Sequence, residues 1–298
     1  MSKRQIIAHF FQWRLTDITK ELDNVKLAGY NAIQISPMQG CKDDGNEFWK
    51  LYQPTHMALV GSKQIGYKKD LIELCSEAKK RNIKVIADVV LRHTAGVNSG
   101  ELIPHETVDK KLTDNPYFWT NAKNTTNFKD RWSATNLAFG MPMLDYNNWE
   151  LQDIYIRFLD ELKESGCDGF RVDMSKHFAL EEEGSVFWTR VFSRYSSLFN
   201  YAECLECDKN LLDKYTKFIN VITDYYLPTD KSKAIIYIMS HDTEETWGFT
   251  KKMKDNDIIR EWRNLLNDNK ESHVLFYIRS WSDLWKSDAI KEINYTYR

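Results

Sequence analysis

Short apolar runs alternate with segments of helical period along almost the whole chain. Gln5–Phe11 and Ala32–Ser36 read as strands, with a helix over Asp17–Leu27 between them that Gly29 closes. Asp70–Arg81 sets Leu71, Leu74, Cys75 and Ala78 on one helical face. Ile83–Val90 is nearly continuous in apolar residues, as a parallel strand covered on both faces requires. Asn148 is placed to cap a helix carrying Leu151, Ile154, Tyr155, Phe158 and Leu162, and Gly166 ends it. Further strands are predicted over Cys167–Val172, Asn200–Cys204, Phe218–Thr223, Ile235–Ser240 and Val274–Ile278. Further helices are predicted over Val186–Phe199, Leu211–Lys217, Asp257–Asn267 and Leu284–Tyr295.

Eight strands in alternation with about seven helices predict an α/β fold, a (β/α)8 TIM-type barrel, with an open doubly wound sheet as the alternative. Residues 94–146 break the rhythm: rich in Asn, Thr, Lys and Asp, they predict a small subdomain inserted after the third strand. The rest of 1–298 reads as one catalytic barrel domain. Asp224–Ala234 is close to the shortest possible parallel crossover and contains Pro228, so the sixth helix is predicted to be shortened to a stub. The face it leaves near Tyr225, Tyr226 and Leu227 is expected to be covered by a neighbouring helix or by self-association, a homo-oligomer.

Composition narrows the functional classes. A net charge of −2 over 298 residues favours neither a nucleic-acid partner nor a membrane surface. No apolar run approaches the ~20 residues that span a bilayer, and the basic start Met1–Arg4 is not followed by a secretion-signal core. Five scattered cysteines do not resemble a disulfide framework, and a cytoplasmic location is expected. Cys204 and Cys207 form a lone CxxC, and without a second pair a zinc site is not expected. Ten Trp and fifteen Tyr are generous, and aromatic faces are what sugars stack on.

In a barrel of this kind, residues at the C-terminal ends of the strands line the site. Here the third strand ends at Asp88 followed by Arg92 and His93, the fourth at Arg171 and Asp173, the fifth at Glu203, and the seventh at His241 and Asp242. Glycoside cleavage needs such a group: one carboxylate to meet an oxocarbenium-like centre, and another of raised pKa to protonate the leaving oxygen. Any one of these residues alone reads equally well as a strand-end ion pair or cap.

Four stretches, Ala87-Asp-Val-Val-Leu-Arg-His93, Gly169-Phe-Arg-Val-Asp-Met-Ser-Lys-His177, Glu203 and Ser240-His-Asp242, resemble the signature regions of the α-amylase family of glycoside hydrolases, in order and spacing. Gly29–Pro37, Trp49–Pro54, Asp130–Trp132 and Asp255–Arg260 extend the likeness, which is nearest to saccharifying bacterial α-amylases. The resemblance implies retaining hydrolysis of α-1,4-glucans such as maltodextrin, starch or glycogen, with Asp173 as nucleophile, Glu203 as acid/base and Asp242 as third carboxylate. It implies that Arg171 orients Asp173 and that His93 and His241 bind hydroxyls of the sugar at the cleavage point. Tyr52 would stack beneath that sugar, Trp49 one subsite further out, and Lys176 and His177 on the leaving-group side. An α-glucan transglycosylase and a catalytically silent glucan-binding barrel are the alternatives.

Two departures stand out. The family usually has a calcium-binding Asn where this chain has Arg92, and a guanidinium has no acceptor to offer a metal. Asp145 matches a second calcium ligand, so no metal and no cofactor are expected, with Arg92 pairing to Asp145 instead. The chain also stops after the eighth helix, where the family continues into a β-domain, so a minimal catalytic barrel is expected.

Overall fold

The computed structural model of the chain describes residues 4–45 and 47–298; the basic start Met1–Lys3 and Asn46 lie outside the described residues. Eight parallel strands close a barrel: β1 (Ile6–Phe10), β2 (Ala32–Ile35), β5 (Lys84–Val89), β6 (Gly169–Val172), β7 (Tyr201–Glu203), β8 (Asn220–Ile222), β9 (Ala234–Tyr237) and β10 (His273–Tyr277). The remaining two, β3 (Gln39–Cys41) and β4 (Pro54–Leu59), pair antiparallel in a hairpin after β2, which the sequence reading missed because both are short and lack period-two alternation. All eight predicted barrel strands are present, and β10 pairs with β1 to close the ring.

Alternation along the strands separates two apolar layers. Ile7, Ala32, Ile86, Tyr201, Ile222, Ile235 and Leu275 fill the barrel interior. Their neighbours Ile6, Ala8, Ile33, Val85 and Ala87 face outward against the helices. That wall is built by α1 (Leu15–Leu27), α2 (Lys68–Lys80), α5 (Trp149–Glu164), α6 (Lys209–Tyr215), α7 (Asp255–Asp268) and α8 (Asp288–Thr296). Asn148 caps α5 as predicted, its Oδ1 accepting from the Leu151 N–H at 3.1 Å, and Leu151, Tyr155, Phe158 and Leu162 are buried.

Gly169 is dictated by packing. A Cβ built there would stand 2.0 Å from the Phe199 carbonyl oxygen, so only glycine lets β6 lie this close to the segment leading into β7.

Two elements differ from the sequence reading. The helix expected over Val186–Phe199 is a π-helical turn, Trp188–Phe192, followed by a single 3₁₀ turn, Ser193–Tyr195. The wider turn lets Trp188, Val191 and Phe192 all bury against the core, which outweighs regular helix geometry. Between β8 and β9 the chain forms only a 3₁₀ turn, Lys231–Lys233, as the short crossover requires. There Tyr225 and Tyr226 stay exposed, and the segment is tied to α6 through Asp213, which accepts from the N–H and hydroxyl of Thr229. Residues 94–146 hold α3 (Lys110–Thr113), α4 (Arg131–Asn136) and isolated bridges such as His93 with Met143 and Trp119 with Leu144.

Candidate active site

Register brings the charged residues together. Asp88 on β5 is the direct partner of Arg171 on β6, and Asp173 follows Arg171 by two positions, on the same face. Arg171 Nη1 donates to both Asp88 oxygens, at 2.8 and 2.9 Å, and to Asp173 Oδ1 at 2.7 Å. Its Nη2 donates to Glu203 Oε1. One buried guanidinium therefore holds three carboxylates from three adjacent strands.

The residue after Asp173 completes the clasp. Met174 sits in the left-handed region (φ 46°, ψ 42°), which turns its N–H onto Glu203 Oε2 at 2.9 Å. A non-glycine residue held there stores backbone strain of about 1 kcal/mol, of the kind that gathers at functional sites.

Burial raises the titration of Asp173, Asp88 and Asp242, and excess negative charge adds to it at Asp173 and Asp88. Burial pushes Asp173 well above the ordinary carboxylate range; Arg171 opposes this, while Glu203 and Asp88 add like-charge repulsion. Burial lifts Asp88 to about 6, against the pull of Arg171. Asp242, in the π-helical turn Asp242–Thr246 after β9, is raised by burial and partly held down by Arg171. Histidines go the other way: burial lowers His241 to about 3, with Arg171 adding repulsion, and His93 to about 4. At neutral pH both rings are uncharged hydrogen-bonding groups.

A small cavity at the mouth is lined by His9, Arg171, Glu203, Tyr237, His241 and Asp242, among others. Tyr52 stacks on His241, with ring centroids 5.2 Å apart and planes within 5° of parallel, and Phe11 stacks on the same imidazole at 4.8 Å. The Tyr52 hydroxyl donates to Asp88 Oδ2 at 2.8 Å, and the Tyr52 carbonyl lies 2.8 Å from His93 Nε2. Trp49, 40% exposed, lies in the 3₁₀ segment Phe48–Tyr52 between β3 and β4, three residues before Tyr52. Asp173, Glu203, Asp242, Arg171, His93, His241 and Tyr52 are thus one connected group.

Lys176 and His177 part company. Lys176 reaches Glu206 at 3.3 Å and lines a cavity of about 370 Å³ bounded by Phe128, Arg131, Cys207 and Asp208, among others. His177 is buried, its Nδ1 2.7 Å from the Ala134 carbonyl, and it links β6 to α4 rather than facing that cavity. His9, Phe11 and Tyr237 escaped the sequence reading. His9 sits near the end of the first strand, the one signal that pointed to it; the other two look like ordinary core residues.

The expected Arg92–Asp145 pair is not formed. The Arg92 guanidinium donates to the carbonyls of His177 (3.1 Å), Leu144 (2.5 Å) and Thr135 (3.1 Å) and lies 4.6 Å from the Tyr146 ring centroid. Asp145 instead accepts from the Asn147 N–H at 3.1 Å, closing a local turn. The reason is burial: Asp145 is only half-buried and keeps water, whereas three buried carbonyls would be costly without a donor. Carbonyls of this kind can hold a hard cation, but a positive charge already stands among them. The residues do not fit the structural calcium that the resemblance implies.

The sequence matches the family model for the α-amylase catalytic domain over residues 14–270. An α-amylase of Clostridium acetobutylicum is 33% identical over 76% of this chain and 31% of its own length, and one of Aeromonas hydrophila is 31% identical over 63% and 46%. The chain thus spans less than half the length of these relatives. In fold it matches the α-amylase of Geobacillus thermoleovorans solved with acarbose (TM-score 0.73, 17% identity, 97% of this chain and 77% of that one). It matches a three-domain cyclomaltodextrin glucanotransferase similarly (0.77, 14%, 99% and 80%). A closed eight-stranded barrel, acids gathered at the ends of its strands and a family match over most of its length lead to one conclusion: the chain belongs to the α-amylase family of glycoside hydrolases.

Proposed function

We propose that the chain cleaves α-1,4-glucosidic bonds of maltodextrin, starch or glycogen with retention of configuration. The observation that carries this reading is the sharing of Arg171 by Asp173 and Glu203. Two carboxyls on one guanidinium favour the close spacing of a retaining pair, about 5–5.5 Å, over the wider spacing that admits a water in inverting enzymes.

In the first half-reaction, protonated Glu203 gives its proton to the glycosidic oxygen while the Asp173 carboxylate attacks the anomeric carbon. The leaving chain departs as an alcohol, and a glycosyl ester remains on Asp173. In the second, the Glu203 carboxylate takes a proton from water, the water oxygen attacks the same carbon, and Asp173 is released as carboxylate. Burial and crowding of like charges raise Asp173 and Asp88, which keeps a proton within reach of Glu203. Arg171 aligns Asp173, and Asp242 with neutral His93 and His241 binds hydroxyls of the reacting sugar. Tyr52 and Trp49 offer it aromatic faces, and Lys176 serves the leaving-group side.

A transglycosylase shares the first half-reaction, with a sugar hydroxyl replacing water in the second. The cavity of about 370 Å³ beside Lys176 favours it as the second reading, because it gives an acceptor sugar room on the leaving-group side. NMR of the products formed from maltoheptaose tests both. Retention gives the α-anomer first, transfer gives oligosaccharides longer than the substrate, and a β-anomeric first product overturns the reading.

A further inference from the structure

Trp247 and Phe249 follow Asp242 on the loop after β9, and they are 46% and 75% exposed. Single exposed apolar side chains are ordinary. These two are adjacent, with ring centroids 5.8 Å apart and planes inclined by 35°, and the Trp247 N–H donates to the Asp242 carbonyl at 2.7 Å. Trp247 caps the π-helical segment that begins at Asp242, and Phe249 follows two residues later.

Their loop is firmly mounted. Glu244 is fully buried and receives Arg279 Nε at 2.6 Å and Nη2 at 3.2 Å. The same guanidinium donates to the carbonyls of Met253 (2.9 Å) and Thr250 (2.8 Å), and the Thr250 hydroxyl donates to Glu244 at 2.7 Å. Tyr277 on β10 donates to Glu245 at 3.1 Å. A buried ion pair adds little net stability compared with an apolar replacement; what it contributes is a fixed geometry. Here it fixes a loop whose outward product is two wet aromatic rings.

Topology says which part of a substrate meets them. Around the barrel, β10 adjoins β1 and β9 follows β10; Phe11, just after β1, and Tyr52, in the 3₁₀ segment between β3 and β4, both stack on His241 after β9. Lys176 and the large cavity follow β6, directly across the ring from β10, while Glu203 ends β7, two strands from β9. An acid protonates the oxygen of the departing chain, so that chain lies on the Glu203 side. The part that keeps the anomeric carbon runs away from β6 and its cavity, toward β10, whose Tyr277 holds the loop after β9.

We propose that Trp247 and Phe249 form a donor-side binding platform for glucosyl units beyond the one being cleaved. Aromatic rings carry a negative face that receives the C–H surface of a pyranose, and aromatic-lined concavities with a few polar anchors suit such ligands. This rests on the proposed cleavage of α-glucans, and it makes the enzyme prefer long chains over short ones.

The test compares the native enzyme with Trp247→Ala/Phe249→Ala on maltotriose and maltoheptaose. The ratio of kcat/KM for the long sugar to that for the short one falls about ten-fold in the double variant, mainly through KM. Phe249→Ala alone, at a side chain three-quarters exposed, lowers the ratio in the same direction and guards against misfolding. An unchanged ratio overturns the platform, whether both rates hold or both fall together. If the native enzyme cleaves neither sugar, the proposed function itself fails.

Discussion

Arg171 Nη1 lies 2.7 Å from Asp173 Oδ1, two positions further along the chain and just past the end of β6. Alternation in a β-strand puts both side chains on the face that looks into the barrel mouth, and the register with β5 adds Asp88 to the same guanidinium. The ion-pair partner of Asp173 is thus set by its own chain segment, while Glu203 on β7 arrives through the pairing of β7 with β6.

Asp173→Asn is expected to lower kcat by about 10⁴-fold or more, because the amide cannot attack carbon. Glu203→Gln loses about 10²–10⁴-fold. Thermal melting of both variants stays near or above that of the native chain, since each removes one charge from a site with excess negative charge. Activity of native size in either variant, measured on maltoheptaose, sinks the assignment.

The buried histidines predict acid sensitivity. Burial lowers His177 to about 3 from an ordinary 6.5. Between these values the unfolded chain binds a proton that the folded chain does not, so this contribution is complete above 6.5 and is lost as pH falls toward 3. In urea melts followed from pH 7 to pH 4, His177→Asn should lose stability less steeply than the native chain, by up to about 1.4 kcal/mol per pH unit. Parallel slopes would falsify the shift.

Arg92→Met strips the donors from three buried carbonyls. Each orphaned group costs about 1–3 kcal/mol, so a loss of about 3 kcal/mol or more is expected in a denaturant melt. The same geometry predicts that EDTA leaves the native Tm unchanged. A melting temperature that drops with chelator would show that a cation shares the site.

Gly169→Ala drives a methyl into the Phe199 carbonyl. Overpacking of this kind costs about 1–3 kcal/mol, and here the obstacle is backbone, which yields poorly. Calorimetry should place the variant several degrees below the native chain, and equal melting temperatures would mean that β6 can shift freely.

What the chain determined by itself is periodic and local. Short apolar runs alternating with helical segments marked all eight barrel strands, Ile83–Val90 most clearly because both its faces are covered, and Asn148 capped its helix because a side-chain oxygen three residues from an N–H needs no tertiary help. Asp88, Asp173 and Glu203 were legible because each stands at or just past the end of a strand, and in a barrel strand ends share one mouth; Asp242 lies further out, in the π-helical turn five residues beyond β9. Tertiary structure decided what depends on neighbours remote in sequence. Whether Arg92 met Asp145 or three carbonyls turned on which groups had lost their water, and burial is not written in spacing. The π-helical turn at Trp188–Phe192 was set by aromatic packing, and the stack of Phe11 and Tyr52 on His241 by closure of β1 against its neighbours. Local pattern chooses the elements, whereas polar partners are chosen by the desolvation that only the assembled barrel imposes.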